Sequence, residues 1–505
     1  METKYDWTIM VYMAGDNNLS ENMAFSLNEL YSAIDLAKTI DTSRANLKVL
    51  ACFDSSSITA PTRYIDFSEV DANGNPFIED IPEINSATAT SIEKFTEWCI
   101  KTRGKTAANY AMIFSGHSEA FKDTTFLQDD SSNKNLTLYM FRYAMEQLRD
   151  KYFGGEKLAI LGFDSCVMGM LEVGYELKDI AHVLIASEGS LPNSGWGYSA
   201  LLAETIARFP QIMTPDYVVE FAKGFVEAFI EHYKKVAIGG RSVDIAAWDL
   251  DEIEPLAKSV NLLAMEFNKH LDLADKIQNE NITDDEIAVF QELKKILLQS
   301  HFNTQTYMRE QNVDIKDFCK QLIFESSFLI NSKFKDVFKE IIRLCEEVIK
   351  NVDICVKKCG YVGEEYQFSN GISLYFPWTL LTYSMTNFNY RYLIFNKGEG
   401  KQDLGNPQGI GRDWNSFLQT YLSRVTLRGT RKTEKGRVAL IEDFNENNPV
   451  WSKDSPPFSK DSPPFSKDSP PFSKGELANS AFYFAKFKNF QMSWKISGYS
   501  DETEY

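Results

Sequence analysis

Two residues of this 505-residue chain stand where an apolar run gives out into a turn, and both have side chains that do acid–base or nucleophilic chemistry. Ala111-Met112-Ile113-Phe114-Ser115-Gly116-His117 reads as a buried strand, a glycine-containing turn and then an imidazole. Residues 158–163 read as a second strand, Asp164-Ser165-Cys166 turns at its end, and residues 167–177 continue with helical spacing. A thiol so placed lies near a helix N-terminus, whose dipole favours the thiolate. A thiol and an imidazole brought together are the pair needed for acyl transfer. The other histidines, His182, His232, His270 and His301, fall at a strand start or within helical or loop stretches and read as structural. Cys52, Cys99, Cys319 and Cys345 read as small buried hydrophobes. Cys355 and Cys359 lack the second pair or histidine cluster of a metal site.

The elements that must position this pair repeat one rhythm through the first 250 residues. Apolar runs at 7–13, 47–53, 110–114, 158–163 and 183–186 alternate with helical stretches at 23–38, 91–101 and 138–152. That alternation predicts an α/β fold, a mostly parallel sheet with helices on both faces. A polar residue follows each run: Asp16 and Asn17, Asp54, His117, Asp164 and Cys166, and Glu188. Parallel sheets bind their ligands beyond the carboxyl ends of the strands, so these residues converge where such a fold does chemistry.

The reading divides the chain into a core over 5–250, a helical insertion over 251–358 and a C-terminal part of the core over 359–424. A linker follows over 425–480 and a tail over 481–505. The insertion carries helical spacing at 254–277, 283–299 and 313–352, and strand character returns at 371–377. Asp-Ser-Pro-Pro-Phe-Ser-Lys occurs three times in succession over 454–474, and paired prolines every seven residues forbid helix or sheet, which makes the segment low-complexity spacer. Residues 481–496 alternate apolar and polar and predict an edge strand.

A formal net charge of -18 and the lack of a basic stripe argue against nucleic acid as a partner. No run reaches the ~18 apolar residues of a membrane span. The start, Met1-Glu2-Thr3-Lys4-Tyr5-Asp6, carries no signal-peptide pattern, which predicts a cytoplasmic protein as written, with export by another route as the alternative. Seven cysteines at irregular spacings make no disulfide framework.

The strand–His117 turn, followed by Asp-Ser-Cys-Val-Met-Gly-Met-Leu-Glu-Val-Gly-Tyr-Glu-Leu at 164–177, resembles the clostripain family of cysteine peptidases. The opening Trp-Thr-Ile-Met-Val-Tyr-Met-Ala-Gly-Asp-Asn-Asn-Leu at 7–19 is similar to that family's first strand. So are Asp129-Asp130 with Leu136-Thr137-Leu138, Ala186-Ser187-Glu188, and the strand at 371–377. Five segments in order over roughly 7–422 make the resemblance specific.

The resemblance implies a caspase-like fold and an endopeptidase in which Cys166 is the nucleophile and His117 the general acid/base. It implies an oxyanion site of backbone N–H groups near Gly116, Ser118 and Cys166. It also implies protein or peptide substrates with Arg or Lys before the cut, held by Asp164, with Glu188 as a second acid that reads equally as structural. Where relatives have glycine after the histidine this chain has Ser118, and 193–198 lacks the acid that relatives carry there. Self-cleavage at Lys134, in the polar loop 130–135, and calcium as a cofactor are further family expectations; Asp129 and Asp130 are the nearest oxygen pair. The alternative reading is a catalytically impaired pseudo-peptidase that serves as a protein-binding scaffold.

Overall fold

The computed structural model describes residues 5–39, 47–56, 60–102, 107–122, 126–202, 217–236, 241–273, 281–307, 311–398, 409–425, 431–432 and 438–439. Its strands are β1 (Tyr5–Gly15), β2 (Leu47–Ser55), β3 (Thr62–Val70), β4 (Pro76–Ile81), β5 (Ala107–Ser115), β6 (Leu158–Asp164), β7 (Ala181–Ala186), β8 (Val243–Asp249), β9 (Thr306–Tyr307), β10 (Asn312–Asp314), β11 (Val356–Val362), β12 (Ser373–Tyr375), β13 (Arg431–Lys432) and β14 (Val438–Ala439). Nine of them form one sheet in the order β11-β8-β7-β6-β5-β1-β2-β3-β4. The five anticipated runs are its centre, β7-β6-β5-β1-β2, and all pair in parallel. The reason lies in their composition: the eight residues from Trp7 to Ala14 are at most 2% exposed, as a strand covered on both faces requires.

Alternation along β1 feeds two separate layers. Trp7, Ile9, Val11 and Met13 join one apolar cluster with Met23 and Leu30 of α1 (Ser20–Thr39). Tyr12 faces the other way, onto Phe95 of α2 (Ala89–Glu97), and Phe114 meets Phe141 of α3 (Leu138–Tyr152) edge to face. Thr137 caps α3, its hydroxyl accepting the Met140 N–H at 3.0 Å. After β6 comes the short α4 (Leu171–Leu177), and α5 (Tyr217–Lys235) adds Phe221, Phe225 and Phe229 to the first layer.

The four outer strands, β3 and β4 on one side and β8 and β11 on the other, run antiparallel to their neighbours and were not anticipated from the apolar runs. β3, β4 and β11 mix exposed and charged residues into their length, so no continuous apolar run marks them. The return at 371–377 becomes β12, which pairs not with the main sheet but antiparallel with β10 in a separate three-stranded sheet.

The remaining helices are α6 (Ile253–Leu271), α7 (Asp284–Asn303), α8 (Ile315–Ser327), α9 (Lys335–Cys355), α10 (Leu380–Tyr392), α11 (Ile394–Lys397) and α12 (Arg412–Val425). The stretch expected to be one helix over 313–352 is thus two, separated by a turn in which the Ser332 hydroxyl accepts the Phe334 N–H at 3.1 Å. The chain divides into two compact units. One comprises Met1–Leu263, Thr304–Lys320 and Ile342–Trp414 and holds both larger sheets. The other comprises Ala264–Asn303, Gln321–Ile341 and Asn415–Tyr505; in it Phe267 packs on Phe417 and Lys333 pairs with Asp285. The proline-rich repeat at 454–474 and the expected edge strand at 481–496 lie outside the described residues. No helix among the described residues is long and apolar enough to cross a membrane.

Candidate active site

Register sets His117 and Cys166 at the same end of two neighbouring strands. β5 and β6 are adjacent and parallel, with Ser115 opposite Asp164 as the last paired residues. His117 and Cys166 each stand two residues beyond that pair, at the carboxyl end of neighbouring central strands, which lie ~4.8 Å apart. The Gly116 N–H donates to the Asp164 carbonyl at 3.3 Å, so the ladder runs one residue past the strand before His117 departs.

His117 is half-buried, and its Nε2 lies 2.5 Å from Asn18 Oδ1. An amide oxygen only accepts, so Nε2 carries the proton and Nδ1 keeps its lone pair for chemistry. Asn18 sits in the turn after β1, which Asn17 braces by donating to the carbonyls of Ala14 and Gln128, both at 2.9 Å. Burial holds the His117 imidazole below its ordinary pKa of 6.5, and the Asp130 carboxylate partly offsets this. The ring is therefore neutral at pH 7, ready to accept a proton. Nothing in the residue types alone singled out Asn18; its partnership is a product of the β1–β5 pairing, which sets the two strand ends side by side.

Cys166 is the half-exposed thiol of the turn. Its Sγ accepts the Leu191 N–H at 3.3 Å. The helical stretch expected from residue 167 starts only at Leu171, and four residues of turn intervene. The thiol is accordingly not drawn down by a helix terminus: burial pushes it above its ordinary range, the Leu191 N–H and the Ser190 side chain pull it back in part, and Asp164 and Asp244 push it further up. The resting pair is thus a thiol and a neutral imidazole. Val167 holds φ at +61°, a conformation that β-branched side chains rarely adopt. Its N–H is fixed by the Gly189 carbonyl at 2.9 Å. Gly169 lets the turn cross the segment after β7, where an added Cβ would stand 2.6 Å from Glu188 N.

Of the three N–H groups expected to bind an oxyanion, that of Gly116 is already spent on the β5–β6 ladder. Those of Ser118 and Cys166 donate to no protein group among the described residues. Ser118 has no positive φ and so does not need glycine. Its hydroxyl is buried, accepts the Ala120 N–H at 3.0 Å and lies 2.8 Å from Met168 Sδ.

Asp164 is a buried hub. Oδ1 accepts the Trp196 N–H at 2.9 Å, and Oδ2 accepts the hydroxyls of Tyr198 at 3.0 Å and Ser115 at 3.1 Å. Burial raises its pKa to about 6, against the pull of these donors. Gly195, at φ +61°, brings the loop so close that a Cβ there would stand 2.8 Å from Asp164 Oδ2. Although 193–198 has no acid of its own, Glu29 of α1 reaches it, accepting from the Tyr198 N–H at 3.2 Å and the Ser199 hydroxyl at 3.4 Å.

Glu188 belongs elsewhere. It is fully buried, and its Oε2 accepts the Gly371 N–H at 2.8 Å and the Tyr307 hydroxyl at 3.2 Å. Burial, with Asp314 and Asp244 nearby, lifts it well above the carboxylate range, so it favours its neutral form. Of the two readings open for Glu188, the surroundings are those of the structural acid. Lys134 has an exposed side chain, but its segment is no loose loop: Lys134 and Asp129 exchange backbone hydrogen bonds of 3.0 and 2.9 Å. The pair Asp129–Asp130 also separates. Asp129 is buried and groups with Asp16 and Glu83, whereas Asp130 is exposed and takes the Gln128 side-chain N–H at 2.6 Å.

Residues 11–395 match the family model described as "Clostripain family". Clostripain of Hathewaya histolytica is 21% identical over 419 residues, covering 73% of this chain and 74% of that protein. Among solved structures, a secreted C11 cysteine protease of Bacteroides thetaiotaomicron, "iotapain", is similar with a TM-score of 0.50 at 15% identity, over 74% of this chain and 94% of that one. An inactive zymogen C11 protease of Parabacteroides distasonis gives the same TM-score at 15% identity, over 78% and 97%. These likenesses show the α/β fold with its mostly parallel central sheet.

Proposed function

The chain belongs to the clostripain family of cysteine peptidases, and from that premise we propose that Cys166 and His117 are its catalytic pair, directed at peptide bonds after Arg or Lys. The observation that carries the pair is the register of β5 on β6, which puts both side chains two residues beyond the same paired position. As a peptide docks, His117 Nδ1 takes the thiol proton and Sγ attacks the scissile carbonyl carbon. The developing oxyanion meets the Ser118 and Cys166 N–H groups. The intermediate collapses as the C–N bond breaks, and the imidazolium returns its proton to the leaving amine. Water, deprotonated by the same imidazole, then hydrolyses the thioester and frees the acid product. A neutral resting pair makes this a base-assisted attack rather than one by a preformed thiolate.

The support for basic specificity is electrostatic: Asp164 ends the nucleophile's strand and Glu29 stands beside the same loop. Self-cleavage after Lys134 is part of the reading, with the Asp129–Lys134 bridge opening first. A thiol-alkylating peptide probe ending in Lys tests the assignment. It is expected to modify Cys166 and to leave the buried Cys52 and Cys99 untouched; labelling spread evenly over the three would refute it.

Asn18→Ala isolates the role of the histidine's partner. With Nε2 unheld, the ring samples both tautomers and turns from the attack line, so kcat is expected to fall roughly 10–100-fold with KM little changed. Asn18→Asp, which accepts the same N–H and adds charge, should restore most of the rate and shift the acid limb of the pH profile upward. A rate unchanged by Asn18→Ala would reduce the contact to packing.

A further inference from the structure

The turn that bears Cys166 rests on the segment leaving β7. Gly169 and Val167 donate their N–H groups to the carbonyls of Ser187 at 2.7 Å and Gly189 at 2.9 Å, and Leu191 returns its own N–H to Cys166 Sγ at 3.3 Å. What aims that last donor lies on another strand. The β7–β8 ladder ends where Ala186 pairs with Ala246, and residues 187–191 run on past it. Asp244 stands two residues beyond that pair on β8 and is 1% exposed. Its Oδ2 accepts the Glu188 N–H at 2.7 Å and its Oδ1 the Gly189 N–H at 2.8 Å, while its carbonyl takes the Ser187 hydroxyl at 2.7 Å. One residue thus supplies the acceptors that a continuing strand would have offered.

The next N–H along, that of Ser190, goes to the Tyr366 hydroxyl at 3.1 Å. Tyr366 ends the 3₁₀ turn Glu364–Tyr366 after β11, and its ring lies so close on Gly189 that a Cβ there would overlap it. That ring is itself braced: Tyr307 packs on it with ring centroids 5.3 Å apart. The Ser242 hydroxyl accepts the Glu365 N–H at 2.9 Å, and the Gln305 side chain donates to the Glu365 carbonyl at 2.8 Å. Each N–H from Glu188 to Leu191 therefore has a fixed acceptor, and the last acceptor is the thiol sulfur.

With Cys166 as the nucleophile of the proposed reaction, on which this rests, we propose that Asp244 and Tyr366 are positioning residues. They hold this run of N–H groups so that the last one steadies the Cys166 sulfur as its proton leaves. A sulfur that has lost its proton is only an acceptor, and a donor already in line lowers the cost of the charge. Asp244 works against the same charge through space. Burial first, then the carboxylates of Asp164 and Asp244, push the thiol up, whereas the Leu191 N–H and the Ser190 side chain pull it down. The grip of Asp244 and its charge thus act on the sulfur with opposite signs, which lets experiment separate them.

Iodoacetamide alkylation of the full-length chain, followed at the Cys166 peptide by mass across a pH series, reads the sulfur without any peptide hydrolysis. Tyr366→Phe leaves the ring on Gly189 and removes only the acceptor. It is expected to slow alkylation at pH 8 roughly 3–10-fold, to raise the apparent thiol pKa by about 0.5–1, and to lower kcat by a similar factor with KM little changed. Asp244→Asn frees one N–H and removes the charge, and it too should slow alkylation, because the lost aim outweighs the lost charge. Faster alkylation in Asp244→Asn would overturn the role of Asp244; should that variant fail to fold, Tyr366→Phe decides alone. Tyr361→Phe, at an exposed tyrosine of β11, should match the parent. A Tyr366→Phe profile identical to the parent's, even with a lowered melting temperature, would reduce the contact to bracing and overturn the proposal. Equal slowing in Tyr361→Phe would overturn it as well. A fully active Cys166→Ala chain would instead defeat the assignment of the nucleophile, a failure distinct from an unmoved alkylation profile.

Discussion

Replacing Cys166 with alanine is expected to lower kcat/KM on an Arg- or Lys-ending reporter peptide by at least ~10⁴-fold while leaving the fold intact. The size follows from the role: without Sγ no thioester forms, and what remains is positioning and oxyanion binding. The intactness follows from the surroundings. Cys166 is half-exposed, and the one bond lost is the part-buried one from the Leu191 N–H to a thiol sulfur, so the cost is about 1 kcal/mol. The buried thiols invert the pattern. Cys52 and Cys99 are at most 1% exposed, and cutting either to alanine removes core contacts, lowering thermal stability without touching the chemistry. If the parent cuts itself after Lys134 as proposed, the variant should stay a single chain, and so should Lys134→Ala. Full activity in Cys166→Ala, measured on protein verified by mass, would end the assignment of the nucleophile.

That two residues at the ends of neighbouring strands could be picked out from residue order alone has a physical cause. The central strands are buried on both faces, so they print themselves as unbroken apolar runs, and whatever follows such a run stands at the sheet's carboxyl edge. His117 and Cys166 follow two runs that turn out to be neighbours. The outer strands β3, β4 and β11 are half-exposed and carry no such print. Contacts made by distant segments were equally hidden. Asn18 meets His117 across 99 residues of chain, Glu29 meets the Tyr198 loop across 169, and Asp16 accepts the Ser131 N–H only because β1 and the turn before α3 converge. The start of α4 was misplaced for a local reason. Residues 167–170 have helical spacing, yet Val167 is held at positive φ by its bond to Gly189, and no helix passes through such a residue. Spacing reports which face is apolar, not whether the backbone is free to coil.

Asp164 separates what the loop needs from what the substrate needs. Asp164→Ala strands three buried donors, those of Trp196, Tyr198 and Ser115, and is expected to destabilise the chain by about 3–5 kcal/mol, so its inactivity would teach nothing. Asp164→Asn is the informative change. The amide oxygen still accepts the Trp196 N–H, and its NH₂ donates to the Tyr198 and Ser115 hydroxyls, which rotate to accept. The fold should survive at a cost of about 1 kcal/mol, and only the negative charge is lost. If that charge holds a guanidinium or ammonium before the cut, kcat/KM for Arg and Lys peptides falls roughly 100-fold. A peptide with a neutral residue in that position should lose little. The same charge predicts a pH effect. With a pKa raised to about 6, the carboxyl is ionised at pH 7 and becomes neutral as the pH falls through 6. Discrimination between basic and neutral peptides should therefore shrink below pH 6 in the parent and stay flat with pH in Asp164→Asn. The imidazole does not mimic this, since protonating His117 slows both peptides alike and cancels in the ratio. An Asp164→Asn chain that folds, cuts, and still prefers Arg and Lys as strongly as the parent would leave Asp164 as a brace for the loop and move the search for the specificity charge to Glu29.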